Sequence, residues 1–209
     1  MAASKKSTSP AQAPRVLDRK EALPALFPKH DDLLIVTGLA GSAKDMAALT
    51  KDADYLFTQA GAMGSAAMIG FGLAMAQPDR KVVVVTGDGE LLMNIGCLAT
   101  IAVHNPPNLA IVCVDNGHNG ETGYQESHTS LGADLEAVAS AFGIANATTL
   151  NTDADLKAGR KMLAGPANGT RFMALRVKPT NPATFKRNMH GHECRARFRA
   201  HVARTAAGA

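Results

Sequence analysis

Residues 81–117 read KVVVVTGDGELLMNIGCLATIAVHNPPNLAIVCVDNG, and this stretch decides the fold of the chain. It contains two uninterrupted apolar runs, Val82–Val85 and Leu109–Val114, a pattern typical of strands buried on both faces of a sheet. Residues 90–103 between them have the length and apolar content of a helix, which the breaker Asn105-Pro106-Pro107 ends. A strand, a helix and a second strand in this order predict a right-handed βαβ unit with parallel strands.

The alternation of strands and helices continues on both sides of this unit. Strands are predicted at 33–36, 144–150 and 171–177, and helices at 42–49, 63–76, 134–142 and 153–163. Ser42 is expected to cap the first of these helices. Together the patterns predict an α/β fold, with a doubly wound, mostly parallel sheet and helices on both faces.

Length and composition indicate one domain with tails. The chain has 209 residues, 46% of them apolar, enough for one well-buried core. We expect a disordered leader at 1–14, a cofactor-binding domain at 15–185 and a basic C-terminal helix and tail at 186–209. Neither a membrane-spanning run nor a signal-peptide segment is visible, so a cytoplasmic protein is expected. The three cysteines lack the CxxC spacing of a zinc or iron–sulfur site.

The net charge of +4 comes from the two ends of the chain. Residues 1–20 carry five Lys or Arg against one Asp, and residues 186–209 carry six against one Glu, so the remainder is acidic. Since only 4% of the residues are aromatic and the basic residues form no face interleaved with them, nucleic-acid binding is not expected.

A candidate site lies at the carboxyl ends of the predicted strands, where parallel α/β sheets bind their ligands. The two strongest strands lead into Asp88 and Asn116, whose side-chain oxygens can converge on one cation. Mg²⁺ takes such oxygen ligands together with the oxygens of a diphosphate. Gly87 and Gly89 allow a phosphate to approach the backbone, and helix N-termini at the same edge offer unpaired N–H groups.

Two other phosphate-binding folds fit less well. The turn GDGELL at 87–92 lacks the third glycine of a dinucleotide-binding motif, and its two carboxylates would repel a bare pyrophosphate. A bound cation removes that repulsion. The pattern GxxxxGK[ST] of nucleoside triphosphatases does not occur.

The segment GDGELLMNIGCLATIAVHNPPNLAIVCVDNGHNG (87–120), with GAMGSAAMIGFGLAMAQPDRKVVVVTGDG (61–89) before it, resembles the GDG…N region of thiamine-diphosphate enzymes. The resemblance covers about residues 32–176, and its two motif residues, Asp88 and Asn116, lie 28 positions apart. Within the family the sequence resembles sulfopyruvate and phosphonopyruvate decarboxylases, in which DN…TG.Q also occurs. Here that pattern is DN at 115–116 and TGYQ at 122–125.

The resemblance implies thiamine diphosphate and Mg²⁺ as cofactors. It assigns Asp88 and Asn116 as Mg²⁺ ligands through side-chain oxygens, and His118 as a ligand through its backbone carbonyl. It also assigns the backbone N–H groups of Gly89 and Glu90 to the diphosphate.

The pyrimidine part of the cofactor is assigned to the loop before residue 66. There the carbonyl of Gly61 is implied to accept the amino group of the aminopyrimidine. The side chain of Met63 is implied to lie beneath the cofactor and force its bent conformation. The full predicted cofactor-binding set is Gly38, Gly61, Met63, Gly87, Asp88, Gly89, Glu90, Asn116 and Gly120.

Candidates for contact with substrate lie mainly in the polar loop 117–129. The predicted catalytic residues are Met63, His118, Glu121 and His128, of which the histidines can titrate near neutral pH and bind an anion. Tyr124 departs from the two decarboxylases, which have a second glycine at this position. The sequence therefore leaves open which 2-oxo acid is the substrate.

The implied activity is that of a carboxy-lyase: a thiamine-diphosphate-dependent decarboxylase of a small anionic 2-oxo acid. The family's pyrimidine-binding domain does not fit into this sequence, so we expect a separate α-type subunit and a hetero-oligomer. A carboligase of acetolactate-synthase type and an aryl 2-oxo acid decarboxylase are alternatives with the same cofactor. A non-catalytic nucleotide-binding module is the alternative from another class.

Overall fold

A computed structural model describes residues 13–206 of the chain. Of the predicted leader at 1–14, residues 1–12 lie outside this described part. Within 13–206, no helix is long and apolar enough to cross a membrane.

The strands of the described chain are β1 (Leu34–Thr37), β2 (Leu56–Thr58), β3 (Val82–Gly87), β4 (Leu109–Asp115), β5 (His118–Asn119), β6 (Gln125–Glu126), β7 (Asn146–Leu150) and β8 (Arg171–Arg176). The helices are α1 (Arg19–Leu26), α2 (Ala40–Thr50), α3 (Ala66–Ala76), α4 (Asp88–Leu92), α5 (Cys97–His104), α6 (Leu135–Ala141), α7 (Asp153–Ala164) and α8 (Gly191–Ala206).

The predicted doubly wound sheet is confirmed. Six strands pair in the order β2-β1-β3-β4-β8-β7, and every pairing in this sheet is parallel. Helices α1, α2 and α7 pack on one face, and α3, α5, α6 and α8 pack on the other. The strand order reverses between β1 and β3, so their carboxyl ends open the crevice in which such folds bind ligands.

Polar residues at three helix starts explain where those helices begin. Asp18 and Asp134 accept hydrogen bonds from backbone N–H groups in the first turns of α1 and α6, and Thr152 forms a capping box with Asp155 before α7. The predicted cap at Ser42 is wrong. Helix α2 begins two residues earlier, and the Ser42 hydroxyl donates to the carbonyl of Leu39 instead.

Two predicted helices differ from the structure near the site. The single helix expected at 90–103 is divided into α4 and α5 by a turn at 93–96, where the Asn94 side chain donates to the carbonyl of Gly64. The helix expected from residue 63 begins at Ala66, because Gly64 has a φ of +76° that a helix does not allow. Residues 61–65 therefore form a loop.

The C-terminal helix belongs to the same core. Phe198 of α8 packs against Phe57 of β2, an edge strand that the sequence did not predict, with ring centroids 5.8 Å apart. Cys194, also in α8, is fully buried. Phe198 and Val202 both pack on the core of this chain.

Candidate functional site

An open pocket of about 210 Å³ lies at the carboxyl ends of β1, β3 and β4. It therefore occupies the crevice at which the strand order reverses. The predicted site residues that line it are Met63, Gly87, Asp88, Gly89, Glu90, Asn116, His118, Gly120 and Glu121.

Three predicted site residues are not in the pocket lining. The space beside Gly38 is filled by the Glu90 carboxylate, since a Cβ at Gly38 would lie 1.3 Å from Glu90 Oε2. Gly61 lies in the exposed loop before α3 and has open space around it. His128 is exposed, and its carbonyl oxygen accepts hydrogen bonds from two following backbone N–H groups.

Asp88 is a buried carboxylate at the pocket floor. It follows the last residue of β3, and only 2% of its surface is exposed. Its Oδ2 accepts hydrogen bonds from the hydroxyls of Ser127 and Thr129, the latter at 3.1 Å. Burial, followed by the neighbouring Asp115 carboxylate, raises the pKa of Asp88, and the two hydroxyls oppose this rise.

Asn116 and His118 are held by local hydrogen bonds at the end of β4. Asn116 Oδ1 accepts from the backbone N–H of His118 at 3.1 Å, and His118 Nδ1 lies 3.1 Å from the carbonyl oxygen of Asn116. A carbonyl oxygen only accepts, so Nδ1 carries the proton of the neutral ring. Nε2 then carries no proton and can accept a hydrogen bond.

The residues at the floor fit a magnesium ion by their chemistry. Asp88 and Asn116 follow adjacent strands, in which Gly87 pairs with Val114, so their oxygens lie at one edge of the sheet. The Asn116 amide oxygen keeps a second lone pair beside the hydrogen bond from His118. A carboxylate, an amide oxygen and backbone carbonyls form a hard donor set suited to Mg²⁺. In residues 13–206 no three His, Cys, Asp or Glu side chains form a metal site by themselves.

The side chain of Glu90 has a role that the sequence did not indicate. It is 4% exposed, and its Oε2 accepts from the Thr86 hydroxyl at 2.8 Å and from the Leu39 backbone N–H at 3.2 Å. Burial raises the pKa of Glu90. The carboxylate therefore joins the loop after β1 to the turn after β3, and both loops line the pocket.

The pocket lining also contains residues that the motifs did not predict. Arg19 of α1 lines the pocket, and its Nε lies 2.6 Å from Asp45 Oδ2 in a buried ion pair. The other oxygen of Asp45 accepts from the Ala183 backbone N–H at 2.7 Å. This bond holds residues 180–182 against the pocket. Arg19 and residues 180–182 lie outside the stretch of sequence that carries the motifs, so no motif could identify them.

A small hairpin formed by β5 and β6 stands at the pocket mouth. Its tip is held on one side by Lys44 of α2, whose Nζ lies 3.5 Å from Glu121 Oε1. On the other side the Tyr124 hydroxyl donates to the carbonyl oxygen of Pro179. The rings of His118 and Tyr124 lie 5.0 Å apart. Lys44 and Tyr124 both line the pocket, and neither was predicted as a site residue.

The sheet and the pocket at its switch point define a cofactor-binding α/β domain whose floor presents oxygen ligands. Residues 39–177 match the family described as thiamine pyrophosphate enzyme, C-terminal TPP binding domain, and the chain belongs to that family. The predicted family and its cofactor, thiamine diphosphate (also called thiamine pyrophosphate, TPP), are thereby confirmed.

Two relatives agree with this assignment, and a solved structure has the same fold. The chain is 37% identical over 184 residues to a phosphonopyruvate decarboxylase of Streptomyces hygroscopicus, covering 87% of this chain and 45% of the relative. It is 40% identical over 136 residues to a sulfopyruvate decarboxylase subunit beta of Methanocaldococcus jannaschii, covering 59% and 71%. The structure of a benzoylformate decarboxylase from Polynucleobacter necessarius superposes with a TM-score of 0.65 at 18% identity, covering 85% of this chain and 36% of that chain.

The extent of these matches differs between the relatives. The chain spans about half the length of the phosphonopyruvate decarboxylases, 45% and 49% of two of them. It spans 71% to 96% of three sulfopyruvate decarboxylase subunits named beta. The structural superposition supports the fold alone, because the identity is low.

Proposed function

We propose that this chain is the diphosphate-binding, β-type subunit of a thiamine-diphosphate- and Mg²⁺-dependent decarboxylase that acts on a small anionic 2-oxo acid. A separate α-type subunit carries the pyrimidine-binding domain in this proposal. The observation that carries it is the buried carboxylate of Asp88 beside Asn116 at the floor of the pocket. Three relatives that align with this chain over most of their own length are named as beta subunits, and these names support the two-subunit form.

In this proposal the pocket floor holds the metal and the diphosphate. Asp88 and Asn116 would bind Mg²⁺ through side-chain oxygens, and His118 through its backbone carbonyl. The N–H groups of Gly89 and Glu90, in the first turn of α4, would face the diphosphate, because the first N–H groups of a helix lack intrahelical acceptors. Gly87 and Gly120 would leave space for the phosphate oxygens.

The mouth of the pocket orients the reacting groups. Bound thiamine diphosphate supplies the carbon nucleophile and the electron sink for loss of CO₂. Met63, 40% exposed at the pocket edge, would support the cofactor from below. The carbonyl oxygen of Gly61 would accept a hydrogen bond from the cofactor's amino group. His118 Nε2 can exchange a proton there, whereas Glu121 and the exposed His128 would act only on groups that reach the hairpin.

Charge near the hairpin supports an anionic substrate. Lys44 lines the pocket with 42% of its side chain exposed, and its partner Glu121 is equally accessible. Exposed ion pairs contribute only about 0–1 kcal/mol, so an anionic substrate can replace Glu121 as the partner of Lys44 at small cost. A phosphonate or sulfonate group has the charge and oxygens for this contact.

An apolar surface at the mouth is the proposed contact with the α-type subunit. Met63 and Met93 are 40% and 66% exposed. Met93 lies next to the loop that carries Met63, because Asn94 binds the Gly64 carbonyl at 2.9 Å. Exposed clusters of large apolar side chains typically mark protein interfaces. A partner bound here would meet the cofactor at the open side of the pocket.

The test is to purify the tagged full-length chain from its host in Mg²⁺-containing buffer and identify its companions by mass spectrometry. We expect a second chain and bound thiamine diphosphate, with CO₂ released from sulfopyruvate or phosphonopyruvate. Met93→Arg should reduce recovery of the second chain, and Met189→Arg, at an exposed methionine of the C-terminal segment, is its control.

Other results would contradict parts of the proposal. If the complex forms acetolactate from pyruvate, or an aldehyde from benzoylformate, the proposed substrate class is wrong. Recovery of the chain without thiamine diphosphate or a companion chain would contradict the proposed subunit.

A further inference from the structure

Asp88 is connected to two other charged residues by a buried hydroxyl. Thr129 Oγ1 lies 3.1 Å from Asp88 Oδ2 and 2.6 Å from Asp115 Oδ1. Arg15 Nη2 lies 2.9 Å from Asp115 Oδ1 and 3.2 Å from Thr129 Oγ1. These contacts join residues up to 114 positions apart in the sequence, so they depend wholly on the tertiary fold.

The residues linked by the Thr129 hydroxyl are buried, and two arginines balance the charge of Asp115 on the side away from the pocket. Asp88, Asp115 and Thr129 are 2%, 5% and 4% exposed. Asp115 is paired with Arg15 on one oxygen, and Arg176 Nε lies 3.6 Å from the other. A buried charge requires such partners, because desolvation otherwise costs several kcal/mol per ion. The partners of Asp115 are therefore inside the protein, whereas Asp88 also borders the pocket.

The segment before α1 places Arg15 in this arrangement. Leu17 forms a parallel bridge with Val177, and the Leu17 carbonyl accepts from Lys178 at 2.8 Å, so the segment continues the sheet beside β8. The guanidinium lies over Gly117, which has a φ of +70°. A Cβ there would lie 2.8 Å from Arg15 Cζ, so a side chain at position 117 would displace the arginine.

Hydrogen bonds to Asp88 distinguish its two oxygens. Oδ2 accepts from the hydroxyls of Ser127 and Thr129, which orient the carboxylate plane. Oδ1 is then the oxygen that remains for a cation in the pocket. Groups behind a metal ligand commonly fix its orientation in this way, and their loss typically costs 10- to 100-fold in metal affinity.

We propose that Arg15, Asp115 and Thr129 are positioning residues for the metal ligand Asp88, with the Thr129 hydroxyl as the central link. Arg15 Nη2 donates to the hydroxyl oxygen, and the single hydroxyl proton is shared between Asp115 Oδ1 and Asp88 Oδ2, so the hydroxyl contacts both carboxylates. This inference rests on the proposed function in one respect, that Asp88 binds the metal. It assigns to the segment before α1 a part in cofactor binding, although that segment precedes the family match at 39–177.

The test measures metal binding directly, without catalysis. Full-length chain, purified with any companion chains, is titrated with Mn²⁺ in the presence of thiamine diphosphate, and free Mn²⁺ is followed by electron paramagnetic resonance. Thr129→Val removes the hydroxyl and keeps the shape, and it should weaken Mn²⁺ binding by about 10- to 100-fold. Thr129→Ser retains the hydroxyl and should bind Mn²⁺ nearly as the unmodified protein does.

Two further variants separate positioning from general stability. Thr170→Val removes another buried hydroxyl, which donates to the carbonyl oxygen of Pro106. Thr170 precedes β8, at the end of the strand opposite the pocket, so this variant should leave Mn²⁺ affinity unchanged. Arg15→Gln removes the charge at the partly exposed end of the connection and should weaken Mn²⁺ binding less than Thr129→Val does. It provides the test if Thr129→Val does not fold.

The outcomes distinguish this inference from the proposed function. If the unmodified protein binds Mn²⁺ with thiamine diphosphate and both Thr129→Val and Arg15→Gln bind it equally well, the positioning role is wrong. If Thr170→Val weakens Mn²⁺ binding as much as Thr129→Val, the effect is one of stability and the inference also fails. If the unmodified protein binds no Mn²⁺ in the presence of thiamine diphosphate, the metal site itself is wrong, and the inference falls with it.

Discussion

The floor of the pocket and the hairpin at its mouth are held by different kinds of interaction. At the floor, Asp88 is 2% exposed and two hydroxyls donate to one of its oxygens. At the mouth, Glu121 is held by one ion pair at 3.5 Å, with its side chain 47% exposed. Buried, multiply bonded groups keep one geometry, whereas exposed pairs exchange readily with solvent or ligand.

In the proposed function this difference would separate two tasks within one pocket. A metal and a diphosphate need ligands at fixed positions, and the floor would provide them before any ligand binds. Substrate choice needs side chains that can change partners, and the hairpin would supply these. Mutations at the floor should therefore abolish cofactor binding, and mutations at the hairpin should change substrate preference with little effect on the fold.

The largest effect is expected at the floor, from Asp88→Ala. The chain should still fold, because the substitution removes a buried carboxylate that lies beside Asp115. Retention of thiamine diphosphate with Mg²⁺ should fall by about 100-fold or more, since a metal ligand is lost. Isothermal titration calorimetry measures this, with Asp79→Ala, at an exposed aspartate, as control. Undiminished cofactor binding would contradict the role of Asp88.

A smaller effect is expected from Met63→Ala at the pocket edge. Turnover should fall by about 10- to 100-fold, because loss of support under the cofactor misplaces the reacting atoms. Cofactor affinity should change much less, since the metal and diphosphate contacts at the floor remain. Steady-state kinetics of the assembled enzyme and calorimetry separate the two, and Met189→Ala is the control. Equal losses of turnover and affinity would argue against a supporting role.

Glu90→Gln should affect the stability of the cofactor-free chain in a pH-dependent way. Burial raises the pKa of Glu90, so folding opposes its ionisation and the native chain loses stability as pH rises through the interval between the unfolded and folded pKa values. Glutamine does not ionise. The variant should therefore gain stability relative to the unmodified chain as pH rises above about 4.3. Urea unfolding at a series of pH values measures this difference, and a pH-independent difference would show that the folded pKa is not raised.

The smallest effect on stability is expected from Glu121→Gln at the hairpin. Loss of an exposed ion pair should change the free energy of unfolding by less than about 1 kcal/mol. The KM for an anionic substrate should fall, because Lys44 is left without its carboxylate partner. Glu126→Gln, at an exposed residue of the same hairpin outside the pocket lining, should leave KM unchanged. A rise in KM for Glu121→Gln alone would indicate that Glu121 itself binds substrate.

Most of the fold, and the residues at the pocket floor, could be predicted from the sequence. The apolar runs at 82–85 and 109–114 are strands, and Asp88 and Asn116 follow them as expected. The division of the predicted helix at 90–103 was missed, because the Asn94–Gly64 contact that accompanies the turn joins residues 30 positions apart. Gly38 was predicted to bind the cofactor, but it does not line the pocket, and the Glu90 carboxylate occupies the space beside it.

The sequence by itself determined the order of most strands and helices, the family and the candidate metal ligands, because apolar runs and turn motifs are local patterns that can be read along the chain. The tertiary structure alone decided the groups that surround those ligands. Arg15 meets Asp115 across 100 positions, and Asp45 meets Ala183 across 138. Such contacts leave no local pattern, because each partner is an ordinary side chain or backbone N–H in its own segment, and only the folded chain brings the two together.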